Sequence, residues 1–294
     1  MRTLSLKIEP RHAGQTVKSL LSNELQLSDH LISRLKQRPA GILLDGKKVY
    51  TTVHPTVGST LVAEIGDAPD CRTFAPIEFP LAVLYEDEDI LIIEKPAGIT
   101  VHESSRFPGE CTVENAVSAM LLPGEVPHPI SRLDRGTSGI MTLAKNGYMH
   151  ERLRRLLHTD QFCRSYLAVV CGAVYPDCGS IEQPIGFAPN SRYQRAAVDD
   201  GQYALTTYTV LQRTESFSLV HLVPHTGRTH QLRVHMAYLG FPLVGDWLYG
   251  KECPELIARP ALHSATLDFV HPLSGETLHI KSALPKDIVS LLFL

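Results

Sequence analysis

The residues best suited to chemistry lie in one segment, SRLDRGTSGIMTLAK, at positions 131–145. It places Asp134 between Arg132 and Arg135, ahead of the turn-forming run GTSG and an apolar strand. Opposite charge nearby favours the ionised form of a carboxylate, which suits a nucleophile or a base better than an acid. The alternative interpretation of such a string is a surface ion pair that caps a loop, since most such pairs are structural.

A second segment, TGRTHQLRVHMAYLGFPLVGDWLYG, carries two more arginines at the start of a predicted helix. Thr229 is the expected N-cap, Arg228 directly precedes it, and Arg233 lies inside the helix. The N-terminus of a helix favours anions because its first backbone N–H groups have no partners within the helix. We therefore expect either arginine to pair with Asp134 or with a phosphate.

Positions 1–65 form the first predicted unit, with two short helices followed by a small sheet. Apolar residues recur at helical spacing over positions 15–26 and again after Ser28, a predicted N-cap. The Asp-Gly pair in GILLDGKKV, flanked by apolar runs, is typical of a two-residue hairpin. The run TLVAEI predicts a further strand.

This first unit is also basic, although the whole chain has a net charge of −3. It holds nine Lys or Arg against five Asp or Glu, whereas the remainder holds nineteen against twenty-six. Five basic side chains could present one edge to phosphates, namely Arg34, Lys36, Arg38, Lys47 and Lys48. A solvated face is the alternative.

The unit resembles a small RNA-binding domain shared by one ribosomal small-subunit protein and many RNA-modifying enzymes. The segments that carry this resemblance are VKSLLSNELQLSDHLISRLKQ, ILLDGKKV and VGSTLVAEI.

Positions 66–78, GDAPDCRTFAPIE, lack apolar periodicity and are predicted to be a linker to a catalytic domain over positions 79–294. Strands are predicted in LAVLYEDEDILIIEKP, GIMTLAK, RSYLAVVCG, YALTTYTVLQRT and SFSLVHLVP. Helices are predicted in GYMHERLRRLL and THQLRVHMAYL. Because strands outnumber helices and neighbours can pair as hairpins, we expect an α+β fold with a mixed, mainly antiparallel sheet.

Six segments resemble, in order and spacing, the successive motifs of the RluA-type pseudouridine synthases. They are LYEDEDILIIEKPAG, SRLDRGTSGIMTLAK, RSYLAVVCG, GRTHQLRVH, FPLVGDWLYG and LHSATLDFVHPLSGE, and the likeness extends from about position 80 to the C-terminus. The resemblance implies a mixed-sheet catalytic domain with a central cleft and no metal or organic cofactor. It also implies isomerisation of uridine to pseudouridine in structured RNA, either rRNA or tRNA.

The resemblance assigns roles to individual residues. Asp134, in the R-L-D-x-x-T-S-G motif, would be the catalytic carboxylate, and Arg132 would take the place of the displaced nucleotide. Tyr166 would pack against the target base, although a buried strand aromatic is its ordinary interpretation. Arg228 would pair with Asp134, with Arg233 as the reserve for that role. The remaining predicted substrate-binding residues are Arg135, Thr137, His230 and Gln231.

Three positions depart from the family's pattern. Ser131 stands where many relatives have His, and Glu94 stands where many have Asn. Both lie outside the residues that perform the chemistry, so they bear on substrate choice and local packing rather than on activity. Arg164 replaces a Lys and keeps the positive charge.

The reaction that the resemblance implies breaks a glycosidic bond, turns the uracil and rejoins it to the sugar through a ring carbon. Glycosidases usually employ two carboxylates because a water must be activated and a leaving group protonated. No water takes part here, so one carboxylate suffices. Asp134 would either attack the sugar or abstract a proton from it, and both routes need its ionised form. The target nucleotide must be flipped out of its stack, at a cost that Arg132 could partly offset.

Composition excludes other protein classes. No run approaches the roughly 18 apolar residues of a membrane-spanning helix, and MRTLSLKIEP lacks a signal-peptide core, so we expect a cytoplasmic protein with no membrane partner. Six cysteines without a C-x-x-C pair argue against structural zinc and a disulfide scaffold. We expect a monomer whose partner is RNA.

Three competing functions stand beside this interpretation. The residue types of a hydrolase triad are present as Ser138, His230 and Asp246, but no G-x-S-x-G elbow accompanies them. A histidine cluster could suggest a metalloenzyme, with His221, His225, His230 and His235, but the last two are five apart and do not share a helix face. A non-catalytic RNA-binding protein on the same fold is the third, and the intact motif residues argue against it.

Overall fold

The computed structural model describes residues 2–67, 74–103, 108–122 and 125–293. Its helices are α1 Val17–Asn23, α2 Asp29–Gln37, α3 Val113–Ser118, α4 Gly147–Leu156, α5 Gln231–Tyr238 and α6 Lys286–Val289. Its strands are β1 Thr3–Lys7, β2 Ile42–Leu44, β3 Lys47–Lys48, β4 Thr60–Glu64, β5 Ala82–Glu86, β6 Ile90–Lys95, β7 His128–Pro129, β8 Ser138–Ala144, β9 Phe162–Cys171, β10 Cys178–Glu182, β11 Ile185–Phe187, β12 Arg195–Ala197, β13 Leu205–Arg213, β14 Phe217–Pro224, β15 Leu262–Val270 and β16 Thr277–Lys281. In these ranges, no helix is both long and apolar enough to cross a membrane.

The N-terminal elements form an antiparallel sheet in the order β1-β4-β2-β3, and α1 and α2 share an apolar core with it. Ser28 caps α2 as predicted, because its hydroxyl accepts a hydrogen bond from the Leu31 N–H at 3.1 Å. The Asp-Gly hairpin between β2 and β3 is also confirmed. Asp45 and Gly46 have φ angles of 48° and 78°, the left-handed conformation that a tight two-residue turn requires.

The larger sheet runs in the order β10-β13-β14-β9-β15-β8-β6-β5, with β16 beside β15 and β7 beside β8. Its neighbours pair antiparallel except β15 and β8, which run parallel. At that parallel junction Gly139 has a φ of 108°, and a Cβ there would collide with the backbone of Ser264. The predicted α+β fold with a mixed, mainly antiparallel sheet is therefore confirmed.

The two sheets are joined by contacts with α4 and with the turn between β5 and β6. Tyr148 of α4 is buried in the N-terminal core, and its hydroxyl donates to the Leu25 carbonyl at 3.0 Å. Arg2 donates two hydrogen bonds to Asp89 Oδ2, at 3.2 and 2.8 Å. Asp67, in the predicted linker, accepts from the Gly147 N–H at 3.2 Å, beside Asn146, whose side chain caps α4. The rest of that linker lies outside the described residues over 68–73 and carries no helix or strand over 74–78.

Candidate active site

A cleft of about 1590 Å³ opens on one face of the larger sheet, and all nine predicted site residues line it. Seven arginines line it too, namely Arg132, Arg135, Arg154, Arg164, Arg228, Arg233 and Arg259. Within the described part of the chain, the acidic residues of the lining are Asp134 and Glu103. An excess of guanidinium groups over carboxylates makes the cleft suited to a polyanion.

Asp134 lies in the loop between β7 and β8, where its carbonyl accepts from the Thr137 N–H at 3.0 Å to close a turn. That loop is tied to the loop after β6 by a reciprocal pair of hydrogen bonds. Arg135 Nε donates to the Gly98 carbonyl at 2.8 Å, and the Gly98 N–H donates to the Arg135 carbonyl at 2.8 Å. The position of Asp134 therefore depends on two loops that are held together by the backbone of Gly98 and by the backbone and side chain of Arg135.

Lys95, at the end of β6, links the same two loops from the interior of the protein. Its side chain has no exposed surface, and its ammonium donates to the carbonyls of Pro96 at 2.8 Å, Ile99 at 2.9 Å and Arg135 at 3.3 Å. Burial lowers the pKa of Lys95 to about 7, although the charge of Asp134 pulls in the opposite direction. The sequence interpretation missed this residue, and its one signal was its place in the KPAG run.

Arg233, in α5, binds two carboxylates with one guanidinium. Its Nε and Nη2 donate to Asp246 Oδ2 and Oδ1, both at 2.7 Å, and its Nη1 donates to Asp134 Oδ2 at 3.2 Å. Asp246 has no exposed surface, whereas the Asp134 side chain is 28% exposed. Burial disfavours the guanidinium charge, but the two carboxylates outweigh it and raise the pKa of Arg233. Asp246 thus fixes the arginine, and the arginine orients the more accessible carboxylate.

The predicted pairing of Arg228 with Asp134 is wrong in this structure. Arg228 Nε donates to the Tyr203 carbonyl at 3.0 Å, and its Nη1 donates to Gln202 Oε1 at 3.1 Å. The physical reason is local, because Arg228 belongs to the loop before α5 and His230 separates that loop from the helix with a left-handed φ of 59°. His230, not Thr229, is therefore the N-cap, and the reserve residue, Arg233, makes the pair.

His230 and Gln231 differ in what they offer to a substrate. His230 Nδ1 shares a hydrogen bond with the Tyr249 hydroxyl at 2.8 Å, and its Nε2 lies 3.8 Å from Asp134 Oδ1. Burial lowers the pKa of His230 against the pull of Asp134. Gln231 is buried, and its amide oxygen accepts from the Thr226 hydroxyl at 2.7 Å and the Arg228 N–H at 3.0 Å.

The amide nitrogen of Gln231 is also occupied, by the Leu205 carbonyl and the Thr206 hydroxyl, each at 3.0 Å. Its predicted role in substrate binding does not match these contacts, because the amide is used up within the protein. The amide instead pins the GRTH loop to β13.

Four predicted residues complete the lining. Arg132 is exposed. The guanidinium of Arg135 binds the Gly98 carbonyl and forms an ion pair with Glu110 at 3.1 Å. Thr137 is 2% exposed and Tyr166 is 7% exposed. Tyr166 lies on β9, between β14 and β15, with its ring against the cleft.

Comparisons with known proteins identify the family of this chain. A family model described as RNA pseudouridylate synthase matches residues 89–238. An uncharacterised RNA pseudouridine synthase of Bacillus subtilis strain 168, YjbO, is 35% identical over 273 residues, which cover 92% of this chain and 96% of that protein. This chain belongs to the RNA pseudouridylate synthase family. Its activity is that of an isomerase that converts uridine to pseudouridine in RNA.

Two further relatives of this pseudouridine synthase are informative. The ribosomal large subunit pseudouridine synthase D of Escherichia coli strain K12 is 32% identical over 307 residues, which cover 98% of this chain and 93% of that protein. The solved structure of human RNA pseudouridylate synthase domain containing 4 is 27% identical, with a TM-score of 0.59, and the match covers 72% of this chain and 92% of that one. The similarity therefore extends over sequence and fold together.

The structure also separates this synthase from the competing interpretations. The Ser138 hydroxyl lies 2.9 Å from His263 Nδ1 rather than beside His230, and Asp246 is committed to Arg233, so no Ser138-His230-Asp246 triad forms. Across the described ranges, no three His, Cys, Asp or Glu side chains are grouped so as to hold a metal. The histidines of the second segment have separate partners; for example, His235 is buried between Thr206 and Gln183.

The family departures have local partners. The Glu94 carboxylate accepts from the Ser282 hydroxyl at 2.8 Å, and that hydroxyl also lies 3.0 Å from His263 Nε2. Ser131 and Arg164 both line the cleft. Ser131 and Arg164 therefore belong to the cleft, whereas Glu94 belongs to a polar network beside β15.

Proposed function

We propose that Asp134 is the catalytic carboxylate of this synthase. The observation that carries the proposal is the single guanidinium of Arg233, which binds the buried Asp246 and presents its remaining nitrogen to Asp134 at 3.2 Å. A cation in that position orients a partly exposed carboxylate and compensates its negative charge. Asp134 then faces a cleft whose other charges are mostly positive, as an RNA substrate requires.

Each residue then has a part in the reaction. Asp134 either attacks the sugar and displaces the uracil, or takes a proton from the sugar so that the glycosidic bond breaks. The uracil then turns and a ring carbon bonds to the sugar, which releases the bond to Asp134 or takes back the abstracted proton. That ring carbon loses its proton, and the freed ring nitrogen gains one. Tyr166 offers its ring to the base within the cleft. Arg132 is exposed on the Asp134 loop, so it can enter the RNA stack that the flipped nucleotide leaves. Because no water joins the products, a second carboxylate is not required.

The substrate class is also a proposal. We propose ribosomal RNA, with transfer RNA as the alternative, and the support is the relative that is named for the large ribosomal subunit. We further propose that the protein acts as a monomer, since all nine predicted site residues line one cleft of a single chain. We propose the cytoplasm as its location on the same ground as the ribosomal substrate.

Residues 1–65 are proposed as an RNA-binding domain, followed by a linker over 66–78 and the catalytic domain over 79–294. Lys36, Lys47 and Lys48 are exposed on α2 and the edge strand β3, where they can reach phosphates. Arg38 is removed from the predicted basic edge, because it donates to the Gly66 carbonyl at 2.7 Å and to Glu64 at 3.3 Å. The basic surface of this domain is therefore smaller than the sequence predicts.

The experiment that tests Asp134 compares the wild type with Asp134→Asn in pseudouridine formation and in RNA binding. We expect turnover to be abolished while affinity persists, because asparagine keeps the size and most hydrogen bonds but not the reactive carboxylate. Turnover near that of the wild type would contradict the proposal. Loss of turnover together with loss of affinity would favour a binding role for Asp134.

A further inference from the structure

Two large aromatic side chains stand exposed where they line the cleft. Trp247 is 60% exposed and Tyr193 is 69% exposed. Trp247 is also the single tryptophan of the chain. Neither side chain belongs to an apolar core cluster, so packing does not explain why these positions carry aromatic rings.

The loops that carry these rings are joined to one another. Gln194, next to Tyr193, donates from Nε2 to the Leu248 carbonyl at 3.1 Å. The Arg195 N–H donates to the Tyr249 hydroxyl at 3.1 Å. Each bond lies within two residues of an exposed ring, so both rings are presented from a fixed backbone. Such preorganisation reduces the entropy that binding would otherwise cost.

The same loop is fastened to the proposed catalytic residues. Asp246, which precedes Trp247, holds Arg233 at 2.7 Å and accepts from the Leu248 N–H at 3.1 Å. Arg233 in turn holds Asp134. Trp247 is therefore one residue away from the carboxylate that anchors the proposed site, on the wall of the same cleft.

Aromatic rings in a cleft rich in arginine have the chemistry of a nucleobase platform. The guanidinium groups hold phosphates, and an exposed ring offers its face to a base, whatever the identity of that base. An apolar protein partner fits less well, because the surrounding cations would be buried without counter-charges. The charge of the cleft thus selects a nucleic acid as the occupant.

We propose that Trp247 and Tyr193 form a stacking site for an unpaired nucleobase next to the target uridine. The proposal rests on the proposed function, because it assumes that RNA occupies the cleft. A base inside a continuous duplex is already stacked on both faces and cannot use the platform. The site therefore makes the enzyme prefer targets that are flanked by unpaired nucleotides, as in loops and bulges.

The test uses the full-length protein and two labelled probes, a uridine octanucleotide and an abasic octanucleotide with the same ribose-phosphate backbone. We expect the uridine octamer to quench Trp247 emission and the abasic octamer to leave it unchanged. Trp247→Leu should weaken binding of the uridine octamer about 5- to 150-fold, the range that stacking of one base contributes, while binding of the abasic octamer is retained. Trp247→Phe should restore most of the loss, since it restores the aromatic ring.

A matched control is Phe293→Leu, which changes an aromatic side chain that is 84% exposed outside the lining of the cleft. It should leave the affinity of both probes unchanged. Equal binding of both probes without quenching, or an equal loss for both in Trp247→Leu, would overturn the stacking site and leave the proposed function standing. Failure of the wild type to bind either probe would contradict the proposed function as well.

Discussion

Arg233 Nη1 lies 3.2 Å from Asp134 Oδ2, while the same guanidinium binds the buried Asp246 through two shorter hydrogen bonds. Asp246, which solvent does not reach, fixes the position of the arginine. The remaining nitrogen of the guanidinium points at Asp134, which is partly exposed to solvent. A planar guanidinium can donate to both carboxylates at once, whereas the ammonium of a lysine lacks the fixed, forked arrangement of N–H donors. The geometry of this pair leads to the first prediction.

Arg233→Lys should reduce turnover by roughly 100-fold, since a displacement of about 1 Å at a reacting group costs about that much. RNA affinity should change much less, because the positive charge is kept. Single-turnover formation of pseudouridine and RNA binding at fixed salt measure the two effects. Arg213→Lys is the control, since Arg213 also binds an aspartate, Asp177, but does not line the cleft. Equal losses in both variants would contradict a special role for Arg233.

Arg228→Met should behave differently from Arg233→Lys. Arg228 lines the cleft but is bonded to Gln202 and Tyr203, so its removal takes away a cation without releasing Asp134. We expect weaker RNA binding and a slope of log affinity against log salt that is smaller by about 1, the contribution of one phosphate contact. Turnover at saturating RNA should be largely kept. Salt titrations and saturating turnover measure this. An unchanged salt slope with collapsed turnover would restore the pairing that the sequence predicted.

Lys95→Met should change how stability depends on pH. The pKa of Lys95 is about 7 in the folded protein, whereas the pKa of a lysine in the unfolded chain is about 10.4. Between these values the unfolded state binds more protons, so this group makes the free energy of unfolding rise with pH, and its contribution is lost as pH falls towards 7. Subtracting the Lys95→Met unfolding free energy from that of the wild type should give a difference that rises from pH 7 to 9.5. A flat or falling difference would contradict the assigned pKa.

The triple variant Lys36→Ala, Lys47→Ala, Lys48→Ala should weaken RNA binding and flatten its salt dependence. Each lost phosphate contact reduces the release of counterions, so the slope should fall by up to about 0.7 to 0.9 per lysine. Three exposed lysines near the C-terminus provide the matched control, namely Lys251, Lys281 and Lys286, which should have little effect when changed together. A slope equal to that of the wild type would remove the N-terminal domain from RNA binding.

Local patterns predicted most of the elements that build the cleft. The apolar runs of β6, β8, β9 and β14 and the helical spacing of α4 carry their own periodicity, so they can be recognised without knowledge of the fold. The capping of α2 by Ser28 follows in the same way, because a cap acts within one turn.

The contacts within the site could not be predicted in this way. The choice between Arg228 and Arg233 depends on the left-handed backbone of His230, a conformation that residues other than glycine adopt uncommonly and that the sequence therefore does not predict. The amide nitrogen of Gln231 is bonded to β13, which is 18 to 26 residues earlier in the chain, and such a contact appears only after folding. The sequence around Lys95 does not indicate burial of its side chain. Only the packed fold shows that this side chain is buried and donates to three carbonyls.

The proposed role of Asp134 in making pseudouridine can be measured in cells. The most direct measurement maps pseudouridines in the RNA of cells that lack the gene, and of the same cells complemented with the wild type or with Asp134→Asn. We expect one or more ribosomal RNA sites to lose pseudouridine without the gene, to recover it with the wild type and to stay unmodified with Asp134→Asn at equal protein level. Recovery of the modification by Asp134→Asn would contradict the proposed role of Asp134.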